Sequence, residues 1–293
     1  MLTKLFLSHL EACLSSVRGD QIHITKFSPV GGGSINTAFQ LHTTTGNYFL
    51  KFNSSNRFPG MFESEIKGLS LLHETGLVKI PEVICSGEFD SNDFVVLEMI
   101  KKGSSNRISQ ETLGRQLAHL HTKEAVTFGL DHDNYIGSLP QSNTQLISGI
   151  DFMIEQRYQP LVENASANKL LPVNVAIQFD DFYKVLPELF PREKPVLLHG
   201  DLWSGNYITG DDGASWLLDP AVYYGFRETD IAMTRLFGGF SEAFYASYQS
   251  INPMATGWEE RVQLFQLYPL LVHLNLFGTG YLGGVKGVLS KYT

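Results

Sequence analysis

The sequence predicts a two-lobed α+β fold: a small lobe built on an antiparallel sheet over residues 1–100, then a mainly helical lobe over residues 101–293. Three observations predict it. The chain has 293 residues, more than one hydrophobic core usually organises. Its first third holds short β-favouring runs divided by turn signals, and beyond that the apolar residues recur at helical spacing. The polar run Lys101-Lys102-Gly103-Ser104-Ser105 stands between the two patterns and is read as the connector.

In chain order, Leu2, Leu5, Phe6, Leu10 and Cys13 predict an amphipathic helix over 2–17. Strands follow at Ile22–Val30, Thr37–Thr43 and Asn47–Phe52, the first pair parted by Gly31-Gly32-Gly33 and the second by the hairpin signal Thr45-Gly46-Asn47. Phe62, Ile66, Leu69 and Leu72 share one face of a helix over 61–74, which Gly76 ends. Two more strands fit Glu82–Ser86 and Phe94–Met99. In the second lobe the pattern predicts helices around Leu113–His121, 147–166, 173–189, 228–250 and 258–277. Between them, the apolar runs Val196–Leu198 and Trp216–Leu218 each lead toward an acidic residue. The chain has no internal repeat or low-complexity tract.

Composition excludes several function classes. Lys and Arg total 22 against 30 Asp and Glu, a formal charge of −8, and no basic run offers the stripe that a nucleic-acid partner needs. No apolar run approaches the roughly 20 residues that span a bilayer, and the N-terminus lacks the pattern of a secretion signal. Cys13 and Cys85 have neither metal-ligand nor redox spacing. The expectation is a cytoplasmic protein with no membrane or nucleic-acid partner.

The strongest motif is His199-Gly200-Asp201-Leu202-Trp203-Ser204-Gly205-Asn206, followed by Leu217-Leu218-Asp219. Singly, each Asp could cap a turn or a strand end. Their order and spacing instead match phosphoryl transfer: Asp201 as the base that takes a hydroxyl proton, Asn206 and Asp219 as ligands for Mg2+ on the phosphates of ATP. His199 reads as a loop anchor. Upstream, Gly31, Gly32, Gly33 and Ser34 form a turn whose backbone amides suit phosphate, although Asn36 stands where a third glycine is expected and the run alone would be a plain hairpin turn. Lys51, isolated in the apolar strand Phe49-Leu50-Lys51-Phe52, needs a buried partner, and Glu65 is preferred to Glu63 because Ile66, Leu69 and Leu72 define the packing face. The run through Glu98, Met99 and Ile100 ends the small lobe, where backbone groups of Glu98 and Ile100 would read an adenine. Together these residues predict a protein-kinase-like fold using ATP and Mg2+.

At finer grain the chain resembles the fructosamine kinase (ketosamine kinase) family, related to aminoglycoside and choline kinases. The resemblance spans most of the chain: Phe49–Asn53, Met61–Glu65, Asn134–Gly137, Pro140-Gln141 with Asn143, His199–Asn206, Asp219–Ala221, Tyr223–Met233 and Leu267–Gly278. It implies ATP-dependent phosphorylation of the sugar 3-hydroxyl of ketosamines, small or protein-bound, which destabilises the adduct and repairs glycation. It also implies that Trp203 stacks on the sugar, that His273 and Asn275 donate hydrogen bonds to it, and that Asp230 supports the catalytic loop. This chain has Gly149 where many relatives have tryptophan, and Ser34 where some have cysteine. Two readings compete: a related kinase acting on an aminoglycoside, amino alcohol or other sugar derivative, whose pocket would gather acidic residues, and a non-catalytic nucleotide-binding protein.

Overall fold

The Thr3 hydroxyl accepts the Phe6 amide and starts helix α1, Lys4–Arg18, whose buried face carries Phe6, Leu10 and Leu14. These side chains pack on Leu41, Tyr48, Leu50, Phe94 and Val96 of an antiparallel sheet, the core of the first unit. Its strands are β1 (Ile24–Pro29), β2 (Thr37–Thr43), β3 (Gly46–Ser54), β4 (Val83–Phe89) and β5 (Asn92–Glu98), in the spatial order β1-β2-β3-β5-β4. Helix α2, Met61–Glu74, lies between β3 and β4 in sequence. The β2–β3 register sets Thr43 opposite Gly46, as the predicted hairpin requires.

The computed structural model describes residues 2–31 and 35–292 and separates the chain into two compact units, Met1–Ser104 with Ile208–Leu218, and Ser105–Tyr207 with Asp219–Thr293. The sequence reading put 208–218 in the second lobe. It belongs to the first unit because its hairpin, strands β9 (Tyr207–Thr209) and β10 (Ser215–Leu217), bonds to first-unit backbone: Gly103 N to Thr209 O at 2.8 Å, Asp211 N to Lys101 O at 2.9 Å and Leu217 N to Lys79 O at 2.9 Å. Lys79 reinforces this with an ion pair to Asp212 at 3.0 Å and a contact over the Trp216 ring.

The second unit is mainly helical. Helix α3, Arg107–Leu120, opens with a capping box between Asn106 and Ser109. A small hairpin, β6 (Asn134–Ile136) with β7 (Leu139–Gln141), precedes a continuous helical stretch made of α4 (Gly149–Phe152), a π-helical turn (Met153–Tyr158) and α5 (Gln159–Ala167). Helix α6, Val173–Leu189, follows, and strand β8 (Val196–Leu198) pairs with β11 (Tyr223–Gly225). The helical span predicted over 228–250 is two helices, α7 (Glu228–Leu236) and α8 (Glu242–Ile251), because Gly238 and Gly239 take φ of 70° and 91° and turn the chain. Helix α9 is Trp258–Phe277, as predicted, and α10 (Leu282–Tyr292) was hidden by its glycines. A Cβ on Gly149 would meet the Phe128 and Phe226 rings at 2.5 Å, so those rings already fill the space a larger residue would need. Among the described residues no helix is long and apolar enough to cross a membrane.

Candidate active site

The loop after β8 is held from beneath. The buried Asp230 carboxylate accepts the His199 amide at 2.8 Å and the Gly200 amide at 2.9 Å, and His121 Nε2 lies 3.2 Å from the same carboxylate. His199 is fully buried, and its Nδ1 accepts the Asp201 amide at 3.3 Å. The Gly200 backbone passes so close to Ala221 that a Cβ would sit 2.0 Å from the Ala221 carbonyl oxygen, and its φ is 84°, so no other residue fits. The loop thus presents Asp201 on a rigid base.

Asn206 orients that carboxylate. Its Nδ2 donates to the Asp201 carbonyl and to Asp201 Oδ2, each at 2.9 Å, which leaves Oδ1 for an incoming group. Burial pushes the Asp201 carboxyl up to about 7, with the negative charges of Asp219 and Asp230 adding to the effect and the Asn206 hydrogen bond opposing it. A carboxylate titrating there is matched to proton transfer near neutral pH. Burial also works against the charge of Asp230. There the hydrogen bond and charge of His121, the His199 side chain and the Gly200 amide outweigh it and hold the carboxyl below its ordinary value.

Asp201 lines a small pocket with Gly200, Thr229, Tyr268, Pro269 and His273. The Pro269 carbonyl can only accept, so the 2.7 Å contact from His273 Nδ1 means that this nitrogen carries the proton. Burial lowers the His273 pKa, which keeps the ring neutral and makes Nε2 an acceptor. His273 therefore accepts where the sequence reading had it donate. Asn275 is not in this lining. Two positions along a helix are about 200° apart, and Asn275 instead joins α9 to α5, donating to the Leu161 and Leu271 carbonyls and accepting from Asn164. Trp203 folds over Gly205, where a Cβ would lie 2.3 Å from the indole, and its ring meets Phe237 edge-on at 6.1 Å.

In the first unit Lys51, buried on β3, pairs with Glu65 of α2 at 2.7 Å. Glu63 turns outward to Lys67 on the surface. Asn36 accepts from Asn53 Nδ2 at 2.8 Å, which ties Asn36 to β3 and gives it a role glycine lacks. Gly31 is exposed, and Gly32, Gly33 and Ser34 lie outside the described residues. The Glu98 amide bonds the Glu82 carbonyl, so it is taken. Among the described residues the backbone groups of Met99 and Ile100 make no hydrogen bond.

The donor chemistry around Asp201 suits a hard cation. Asn206 turns its amide nitrogen to Asp201, and among the described residues its Oδ1 makes no hydrogen bond. Asp219, held at a left-handed φ of 51°, adds a carboxylate whose charge raises the Asp201 pKa. An amide oxygen and a carboxylate are magnesium-type ligands, and a cation between like charges relieves their repulsion.

Sequence reasoning missed two features of this unit. His121 and Tyr248, joined at 2.8 Å, extend the Asp230 support, and the signal for it was a histidine directly after the apolar pattern of α3. Arg157, one of the most buried side chains, lies in the π-helical turn, where an arginine next to Tyr158 in a run with Phe152 and Met153 was the available cue.

Comparison with known proteins agrees with this geometry. A fructosamine kinase family model matches residues 7–293. A protein of Lactiplantibacillus plantarum named "Probable ketoamine kinase" is 40% identical over 92% of this chain and 95% of its own. The chloroplastic protein-ribulosamine 3-kinase of Arabidopsis thaliana is 38% identical over 94% of this chain and 84% of its own. A crystal structure assigned as a fructosamine-3-kinase, from Haemophilus somnus 129PT, superposes with a TM-score of 0.87 at 27% identity, covering 97% of this chain and 96% of that one. The aminoglycoside phosphotransferase APH(4)-Ia, at 15% identity and a TM-score of 0.62 over 98% of this chain and 99% of its own, shares the fold. The chain belongs to the fructosamine kinase family, ATP-dependent phosphotransferases of kinase-like fold that act on a hydroxyl group.

Proposed function

We propose that the chain phosphorylates the 3-hydroxyl of ketosamines, with Asp201 as the catalytic base. The observation that carries this reading is the Asp201 carboxylate, fixed through Oδ2 by Asn206, open at Oδ1 and raised to about 7 in a pocket shared with His273. The acceptor hydroxyl gives its proton to Asp201, its oxygen bonds the γ-phosphorus of ATP, and the bond to the β-phosphate oxygen breaks to release ADP. Lys51, set by Glu65, neutralises ATP phosphate charge, with the turn at Gly31, Gly32, Gly33 and Ser34 adding backbone amides. Backbone groups of Met99 and Ile100 meet the adenine. Asn206 and Asp219 would hold Mg2+, which supplies charge neutralisation on the transferring phosphoryl group. Trp203 offers its indole to a sugar face, and His273 Nε2 accepts from a second donor of the acceptor, a hydroxyl or the ketosamine ammonium.

The test is Mg-dependent ADP release with ATP and a panel of ribulosamine, fructosamine, aminoglycoside and choline acceptors. Turnover is expected on the ketosamines. Turnover on another acceptor moves the substrate, and none on any of them overturns the catalytic reading.

A further inference from the structure

Arg157 is 1% exposed, yet no carboxylate among the described residues lies within ion-pair distance of it. A buried charge ordinarily takes an opposite charge. Here the guanidinium is accommodated by rings and neutral oxygens. Its carbon lies 4.0 Å from the Tyr223 ring centre, 4.5 Å from Phe152 and 5.6 Å from Tyr268. Nη1 donates to the Ser142 carbonyl at 2.5 Å and the Gln156 carbonyl at 2.9 Å, and Nη2 to Asn143 Oδ1 at 2.7 Å. The wider π-helical turn lets Arg157 and Tyr158, neighbours in sequence, both face the core.

Three polar atoms around this guanidinium are buried without a partner: Arg157 Nε, the Tyr223 hydroxyl and Thr229 Oγ1. They are neighbours. Burial raises the Tyr223 phenol pKa, and Arg157 and Thr229 are close enough to pull against that effect. Neighbouring buried polar groups that lack good hydrogen-bond geometry to one another are what a buried water can bridge. The other side of this cluster is the pocket of Asp201, since Thr229 and Tyr268 both line it. Tyr268 is anchored at its far end, its hydroxyl donating to Gln141 Oε1, and Gln141 in turn donates to Asn134 Oδ1 at 2.7 Å.

We propose that Arg157 is a positioning residue for the acceptor pocket: it stacks on Tyr223 and Tyr268 and shares one buried water with the Tyr223 and Thr229 hydroxyls. This fixes the wall that Thr229 and Tyr268 give to the pocket. The inference rests on reading the Asp201 pocket as the acceptor site. Arg157 touches no reacting atom, and its effect passes through the two tyrosines and the water.

Two variants test it, assayed with whichever acceptor the wild type phosphorylates. Arg157→Lys keeps the charge and loses the planar stack, and Tyr223→Phe removes only one water ligand. Arg157→Lys is expected to raise the acceptor KM about tenfold and Tyr223→Phe about threefold, with the KM for ATP within about twofold in both. A merely structural arginine would lower the melting temperature and leave both KM values in place, and that result overturns the proposal. Should Arg157→Lys fail to fold, Tyr223→Phe decides. A high-resolution crystal structure of the wild type supplies a readout independent of activity: a water bonded to Arg157 Nε, Tyr223 and Thr229 is expected, and a dry cluster refutes the proposal. Failure of the kinase reading looks different, as a wild type that releases no ADP with any acceptor.

Discussion

Asp201 and Asp230 are carboxylates of one unit, joined through two loop residues, and their surroundings drive them in opposite directions. Asp230 is fully enclosed and receives two backbone amides and His121, so its charge is satisfied and its pKa falls. Asp201 opens on a pocket, receives only Asn206 at its carboxylate and faces two like charges, so its pKa rises to about 7. Burial alone therefore does not decide the charge state. The number of donors does, and the better-satisfied aspartate spends its bonds on holding the other one in place.

The largest expected effect comes from Asp201→Asn. It removes the proton acceptor and should lower kcat at least about a hundredfold, while ATP binding persists. Near-normal turnover would contradict the assignment. The same variant should melt a few degrees higher at neutral pH, because it deletes a charge from a site that favours the neutral form. The sign follows from linkage. The folded pKa of Asp201 lies above an unfolded value of about 4, so its contribution to stability is full below pH ~4 and is lost as pH rises through about 7. The melting-temperature gap between variant and wild type should thus open between those pH values and vanish at lower pH.

Asp230→Asn should do the reverse. Its nitrogen cannot accept from the loop amides, and leaving them and His121 without their carboxylate should destabilise the protein by about 3 kcal/mol, read by denaturant unfolding. Asp230 has a lowered pKa, so its stabilising effect is present above the unfolded value of about 4 and is lost as pH falls through its folded value. Wild-type activity adds a milder probe of the pair. With Asp201 as base, kcat/KM for the acceptor should fall as pH is lowered through the Asp201 pKa, which bound Mg2+ would hold below the metal-free value of about 7. An acceptor kcat/KM that rises as pH is lowered would argue against that role.

The parts of this site legible in the sequence are those whose partners are near in the chain or demanded by burial. Asp201 and Asn206 are five residues apart and bond each other, and a lysine inside an apolar strand needs an acid on the next helix, which made Glu65 readable. The sheet was legible because its strands gather β-favouring residues and two of its turns carry glycine, whereas the β4–β5 turn is built on Asp90 and Ser91 at positive φ. His121 and Tyr248 were not, since they lie 109 residues from Asp230 and 127 residues from His121 in sequence, and no periodicity links them. Asn275 was misplaced because closeness in sequence was taken for a shared helical face. Arg157 escaped because a charge in a helical pattern reads as surface, and only the π-helical turn brings it inside. The hairpin at 208–218 was misassigned because backbone bonds to Lys79, Lys101 and Gly103, which no side-chain pattern encodes, decide its unit.

The smallest effect tests how far the support of Asp230 extends. Tyr248 is buried on α8 and its hydroxyl lies 2.8 Å from His121 Nδ1, the ring nitrogen that does not face Asp230. If the chain Tyr248–His121–Asp230 acts as one unit, Tyr248→Phe leaves His121 Nδ1 buried and unpaired and frees the ring to turn away from Asp230. The expected cost is about 1 to 2 kcal/mol, a fall in melting temperature of about 2 to 6 °C, with kcat within about twofold because the two loop amides still bond Asp230. A drop in kcat of about tenfold or more would mean that His121, rather than the backbone amides, fixes the catalytic loop, and the contrast between the two aspartates would then rest on histidine geometry. An unchanged melting temperature would confine the support to Asp230 and the two amides it accepts.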